Sequence, residues 1–178
     1  MSGAPDWLRE KLFERRIVML TGPLDHALAT QVEAQLIALD GGGDDPVTLH
    51  VDSADGTLSA VFVVIDAVER LRAPVHALCR GQIGGPALGI VASADRRIAT
   101  PHARLSLAQP RGGFSGTPHH IASQNREQQD LLWQLYARLA RATGRPAEEI
   151  AEDVRRSRYL DAQEALAYGL IEEITPTR

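Results

Sequence analysis

The stretch from Cys79 to Ala94 has the layout of a nucleophile elbow with nothing at its tip. It reads Cys-Arg-Gly-Gln-Ile-Gly-Gly-Pro-Ala-Leu-Gly-Ile-Val-Ala-Ser-Ala. Ala73 to Cys79 is apolar enough for a buried strand and Pro86 to Ala94 for a buried helix, with a glycine-rich turn, Gly81 to Gly85, between them. A sharp strand–turn–helix junction is where hydrolases expose a reactive side chain and gather backbone N–H donors at a helix start. Here the tip is Gly85, which has no side chain, and the next residue, Pro86, has no N–H.

Other hydroxyls and imidazoles lie within reach along the chain. Ser93 is eight residues beyond Gly85, which on a helix is about 12 Å away. Ser106 shares a strand face with Ala108 at about 7 Å. Ser53 and Thr57 flank the Asp55-Gly56 turn. His102 follows Pro101 at a strand start and reads as an exposed turn residue. His119 and His120 open a helix, where solvation is the default, and adjacent helical residues point about 100° apart, which suits no shared metal. The one cysteine, Cys79, sits in an apolar strand and reads as a buried structural thiol. No metal or cofactor set stands out.

The elements that must hold these residues follow from periodicity. Asp6 to about Arg15 carries Trp7, Leu8, Leu12 and Phe13 at helical spacing. Strands are expected over Arg16–Thr21, Val47–Asp52, Val75–Cys79, Arg97–Thr100, Arg104–Leu107 and Leu170–Ile174. Helices are expected over Asp25–Leu39, Thr57–Leu71, Pro146–Val154 and Ala162–Ala167. Thr117 and Pro118 cap and open a long helix that Gly144 closes. Its first half, Ser123 to Asp130, is polar almost all round, which fits a helix that projects from the body or lies at a wet interface. The alternation predicts an α/β fold of stacked β-β-α or β-α units.

Composition bounds the function classes. The chain has 178 residues, 44% hydrophobic and only 4% aromatic, so one globular domain with an aliphatic core is expected. A formal net charge of −4 argues against broad nucleic-acid binding. A lone cysteine excludes a disulfide framework, and the apolar run Ile17–Leu20 is too short for a signal core or a membrane span. The expected setting is cytoplasmic.

With these pieces in order, the chain resembles the proteolytic subunit family of the ATP-dependent Clp protease, from Leu8 to Ile174. Glu14 to Asp25 (ERRIVMLTGPLD) matches the family's opening strand. Val51 to Thr57 (VDSADGT) stands where the family has Asn-Ser-Pro-Gly-Gly. Gly81 to Ala87 stands at the nucleophile turn, Pro101 to Pro110 (PHARLSLAQP) at the histidine strand, and Arg158 to Ala165 with Tyr168 to Ile171 in the segment after the aspartate. The resemblance implies a Clp protease/crotonase-like spiral of β-β-α units within one domain over residues 1–178. It also implies a handle strand and helix at 110–143.

Carried over position by position, the family's serine falls on Gly85, its histidine on Ala108 and its aspartate on Ser157. Its two oxyanion donors fall on Pro86, where the N–H is lost, and Gly56, where it is kept. Asp55 replaces the first glycine of the pair. The resemblance therefore implies an inactive member: no oxygen to attack a carbonyl, no imidazole to move a proton, no carboxylate to orient it.

The family's subunits form seven-membered rings that stack in pairs through the handle. The retained handle positions Arg111, Gly112, Gly113 and Phe114, together with Arg156, are the expected oligomer interface. In the family an arginine at 156 pairs across rings with the aspartate that follows it; here that neighbour is Ser157. Only Met1 to Pro5 precede Asp6, which is short for the axial loop through which the family engages its AAA+ ATPase partner. The leading expectation is a non-catalytic subunit, without cofactor, that assembles with itself or with active paralogues. Two alternatives stand beside it: a serine-type peptidase with a relocated nucleophile, and a crotonase-like acyl-thioester binder, which the loss of the donor at Pro86 weakens.

Overall fold

In chain order the computed structural model, which describes residues 5–110 and 116–176, runs α1 (Asp6–Glu14), β1 (Ile17–Thr21), α2 (His26–Asp40), β2 (Val47–Asp52), α3 (Leu58–Arg70), β3 (Val75–Cys79), β4 (Gln82–Gly84), α4 (Ala87–Ser93), β5 (Arg96–Ala99), β6 (Arg104–Leu107), α5 (Pro118–Thr143), α6 (Ala147–Arg155), β7 (Arg158–Leu160), α7 (Ala162–Tyr168) and β8 (Glu173–Ile174). Strands β1, β2, β3, β5 and β8 form a parallel sheet in that order. Parallel neighbours need crossovers, and each step from β1 to β5 carries a helix.

Period-two alternation decides which face is buried. Val18 and Leu20, Val47, Leu49 and Val51, and Val75, Ala77 and Cys79 point the same way and are buried. The stripes Val32–Leu36–Leu39 of α2 and Val61–Val64–Ile65–Val68 of α3 are buried in the same core.

A second, smaller sheet runs β4–β6–β7, with β4 and β6 parallel and β6 and β7 antiparallel. It continues toward the N-terminus one residue at a time. Leu24 bridges Gly56, with the Leu24 N–H donating to the Asp55 carbonyl at 2.9 Å and the Thr57 N–H to the Leu24 carbonyl at 3.0 Å. The Gly84 N–H donates to the Ser53 carbonyl at 2.9 Å. Each unit is thus a long strand, a short strand or single bridge, and a helix. This is the expected β-β-α spiral.

Three expectations need correction here. The turn expected over Gly81–Gly85 contains a strand, β4, which belongs to the second sheet; the chain enters it through Gly81, whose φ of +62° makes the bend. Residues 158–160, read without regular structure, form β7, because β6 offers them an antiparallel partner. The last strand is also shorter than expected, only Glu173–Ile174.

The long helix forms as its signals predict. Thr117 caps it, accepting the His120 N–H at 3.3 Å, and Gly144 ends it in the left-handed region at φ +71°. At 26 residues it is about 39 Å long. Its N-terminal half is exposed almost throughout, and burial begins only with Leu135, Tyr136 and Leu139. The handle strand expected at Arg111, Gly112, Gly113 and Phe114 lies outside the described residues. No helix among the described residues is long and apolar enough to cross a membrane.

Candidate functional site

The elbow is built between the two sheets. Gly81 takes its bend against Asp52, where an added Cβ would stand 2.4 Å from the carboxylate. Asp52 Oδ1 in turn accepts the Gln82 N–H at 3.1 Å. β4 then runs beside β6, and Gly84 is pressed so closely between strands that an added Cβ would lie 2.4 Å from Ser106 Oγ and 2.6 Å from the Ala54 carbonyl oxygen. Gly85 has φ +51° and donates its N–H to the Ser106 carbonyl at 3.0 Å. That backbone is strained for any L-residue and relaxed for glycine. Pro86, at φ −62° and ψ −26°, leads directly into α4.

A cleft of about 370 Å³ opens at this junction. Gly85 and Ala108 lie on it, with Ala54 and Asp55 on one side and Gln82, Arg104, Ser106, Gln109 and Tyr159 on the others. A side chain at Gly85 would meet the Ala108 carbonyl at 3.3 Å. The β6–β7 register pairs Leu107 with Arg158, the residues adjoining Ala108 and Ser157. Gly85 and Ala108, far apart in sequence, thereby line one cleft, and Ser157 is not among its lining residues. Ser157 itself is exposed at the α6–β7 junction with φ +51°, a conformation in which Asp and Asn are enriched among L-residues.

Most of the other hydroxyls are already engaged. Ser53 is buried and its Oγ donates to the Asp55 carbonyl at 2.9 Å. Thr57 caps α3 by accepting the Ala60 N–H at 3.3 Å. Ser93 Oγ donates back to the Gly89 carbonyl at 2.9 Å. Ser106 alone among these lines the cleft. The imidazoles of His102, His119 and His120 are exposed and none lines the cleft. Among the described residues no group of three or more His, Cys, Asp or Glu side chains is placed to hold a metal ion. Cys79 is buried at the end of β3, and burial pushes its thiol up to about 12. It is no nucleophile at neutral pH.

The Gly56 N–H, expected as an oxyanion donor, has an acceptor of its own. The Gly56 N–H donates to Oδ1 of Asp55 at 2.8 Å. Residues that the sequence did not single out also face the cleft. Arg104 was legible from the alternation of β6, in which Arg104, Ser106 and Ala108 share one face and Leu105 and Leu107 the other. Tyr159 was not, because it reaches the cleft only through the pairing of β7 with β6. Arg156, expected at an interface, is 73% exposed in its side chain and pairs at 2.8 Å with Glu152 of α6, the helix it caps.

The family model for Clp protease matches residues 5–178. The chain belongs to the Clp protease family. Among curated proteins it is 32% identical over 168 residues to ATP-dependent Clp protease proteolytic subunit 2 of Corynebacterium jeikeium (strain K411), covering 92% of this chain and 80% of that relative.

Proposed function

We propose that this chain is a non-catalytic Clp-type subunit, one domain over its whole length, that assembles into a ring with itself or with active paralogues and contributes walls rather than chemistry to the chamber. Gly85 carries the reading. The elbow keeps the left-handed backbone of a nucleophile position, yet the residue in it has nothing to attack with. Ala108 beside it has no proton to move, and Pro86 presents no N–H to the cleft. Losses at the nucleophile, the base, the orienting carboxylate and one oxyanion donor remove both the reaction and most of the residual rate that a triad knockout leaves.

The exposed half of α5 supports ring and inter-ring contact, and the proposed interface is Arg111, Gly112, Gly113, Phe114 and Arg156. An AAA+ ATPase is a further partner by analogy with the family, and the proposed setting is the cytoplasm. The direct test is incubation of the purified chain with a fluorophosphonate probe and intact mass analysis, with native mass spectrometry alone and with an active paralogue. No adduct, together with a seven- or fourteen-fold assembly, is the expected result. A stoichiometric adduct at any serine, or a monomer, would overturn the reading.

The peptidase alternative has one observation in its favour: Ser106 lies on the cleft next to Gly84. An adduct at Ser106 that Ser106→Ala abolishes is what that alternative requires.

A further inference from the structure

Gly56 is buried, so its backbone N–H must find an acceptor. That acceptor is the side chain of the preceding residue, Asp55 Oδ1, at 2.8 Å. The aspartate is not a loose loop group. Its backbone carbonyl takes the Leu24 N–H and the Ser53 hydroxyl, each at 2.9 Å, and the residue lines the cleft. Gly56 is held as firmly, because a Cβ on it would stand 2.9 Å from Leu24 Cβ and 3.0 Å from the Leu24 carbonyl oxygen.

A carbonyl oxygen or an oxyanion seeking the Gly56 N–H must stand where the carboxylate oxygen stands. It would find an acceptor already in place. We infer that Asp55 sets the ligand class of this cleft: it occupies the donor of Gly56 and excludes acyl carbonyl and oxyanionic groups, whether or not a nucleophile is present at residue 85. The inference rests on the reading above only in taking the Gly56 N–H as the second oxyanion donor that the family resemblance implies. It adds a bar to acyl chemistry that is separate from the missing triad.

Two measurements on the full chain test it. The first compares two variants. One carries Gly85→Ser, Pro86→Met, Ala108→His and Ser157→Asp, and the other carries the same four changes with Asp55→Gly. Their second-order rates of fluorophosphonate adduct formation are read by intact mass. A gain of about 100-fold on removing Asp55 is expected, the size of one oxyanion donor; equal rates overturn the inference. The second is hydrogen exchange at single-residue resolution by electron-transfer fragmentation, comparing the natural chain with Asp55→Ala. Exchange at the Gly56 amide should rise at least tenfold while Leu24 and Thr57 keep their protection. An unchanged Gly56 amide overturns the inference even where the restored site stays silent. An adduct on the natural chain would instead sink the non-catalytic reading, so the two failures are told apart.

Discussion

At the scale of single residues, Gly84 and Gly85 are adjacent glycines with different reasons to be glycine. Gly84 lacks space, because a Cβ there would strike Ser106 Oγ and the Ala54 carbonyl. Gly85 lacks strain, because its φ of +51° costs an L-residue energy although only the Ala108 carbonyl, at 3.3 Å, is close. Gly84→Ala is expected to destabilise by about 2–3 kcal/mol, since the backbone of Ala54 cannot give way. Gly85→Ser with Pro86→Met should cost about 1–2 kcal/mol, lower Tm by about 2–6 °C and restore no peptidase activity. Thermal and urea melts check both the order and the sign; a rise in Tm for the double variant would remove the view that this turn exchanged activity for stability. Cys79 yields a second test. Its folded thiol is raised to about 12, so raising pH past the ordinary thiol range favours the unfolded chain, which alone gives up that proton, and stability falls as pH climbs toward 12. Iodoacetamide should modify Cys79 only after denaturant is added, as mass analysis will read directly.

At the scale of elements, α4 is both the platform of the elbow and the surface on which α5 docks. The contact is close because Gly89 is bare there: a Cβ would lie 2.2 Å from Leu135 Cδ1 and 3.1 Å from Ile65 Cδ1. The buried end of α5 is thus fitted into a groove that begins four residues after Gly85. Gly89→Val should destabilise by about 2–3 kcal/mol through overpacking. Leu135→Ala in the same background should recover part of that loss, so the two changes couple instead of adding. Urea denaturation of the four proteins of this cycle is the measurement, and strict additivity would show that α4 and α5 do not meet as described.

At the scale of the whole molecule, the long helix divides into a buried end that belongs to the core and an exposed end that needs another reason to be helical. Arg156 also faces outward and pairs with Glu152 of the helix it caps. An exposed pair of this kind contributes little to stability. Arg156→Ala should therefore move Tm by less than about 2 °C. If Arg156 serves an interface, the same change should shift the assembly to smaller species in sedimentation velocity. An unchanged distribution would take Arg156 out of the interface.

By itself the sequence determined the alternation of strands and helices, because period-two and period-3.6 patterns report burial locally. It determined the caps at Thr117 and Gly144, because cap chemistry is local too. It also determined which residues occupy the elbow, and the matching motifs were specific enough to name the family. What only the tertiary structure decided is non-local. β4 and β7 are too short to show a pattern, and they exist as strands because β6 runs between them and supplies the hydrogen-bonding partners. Tyr159 reaches the cleft for that reason alone. The bond from the Gly56 N–H to the Asp55 carboxylate spans a single peptide unit, yet it matters only because Leu24 locks that turn and the second sheet brings Gly85 and Ala108 to the same cleft. Residue identity was written in the chain; which atom stands against which was left to the packing of the two sheets.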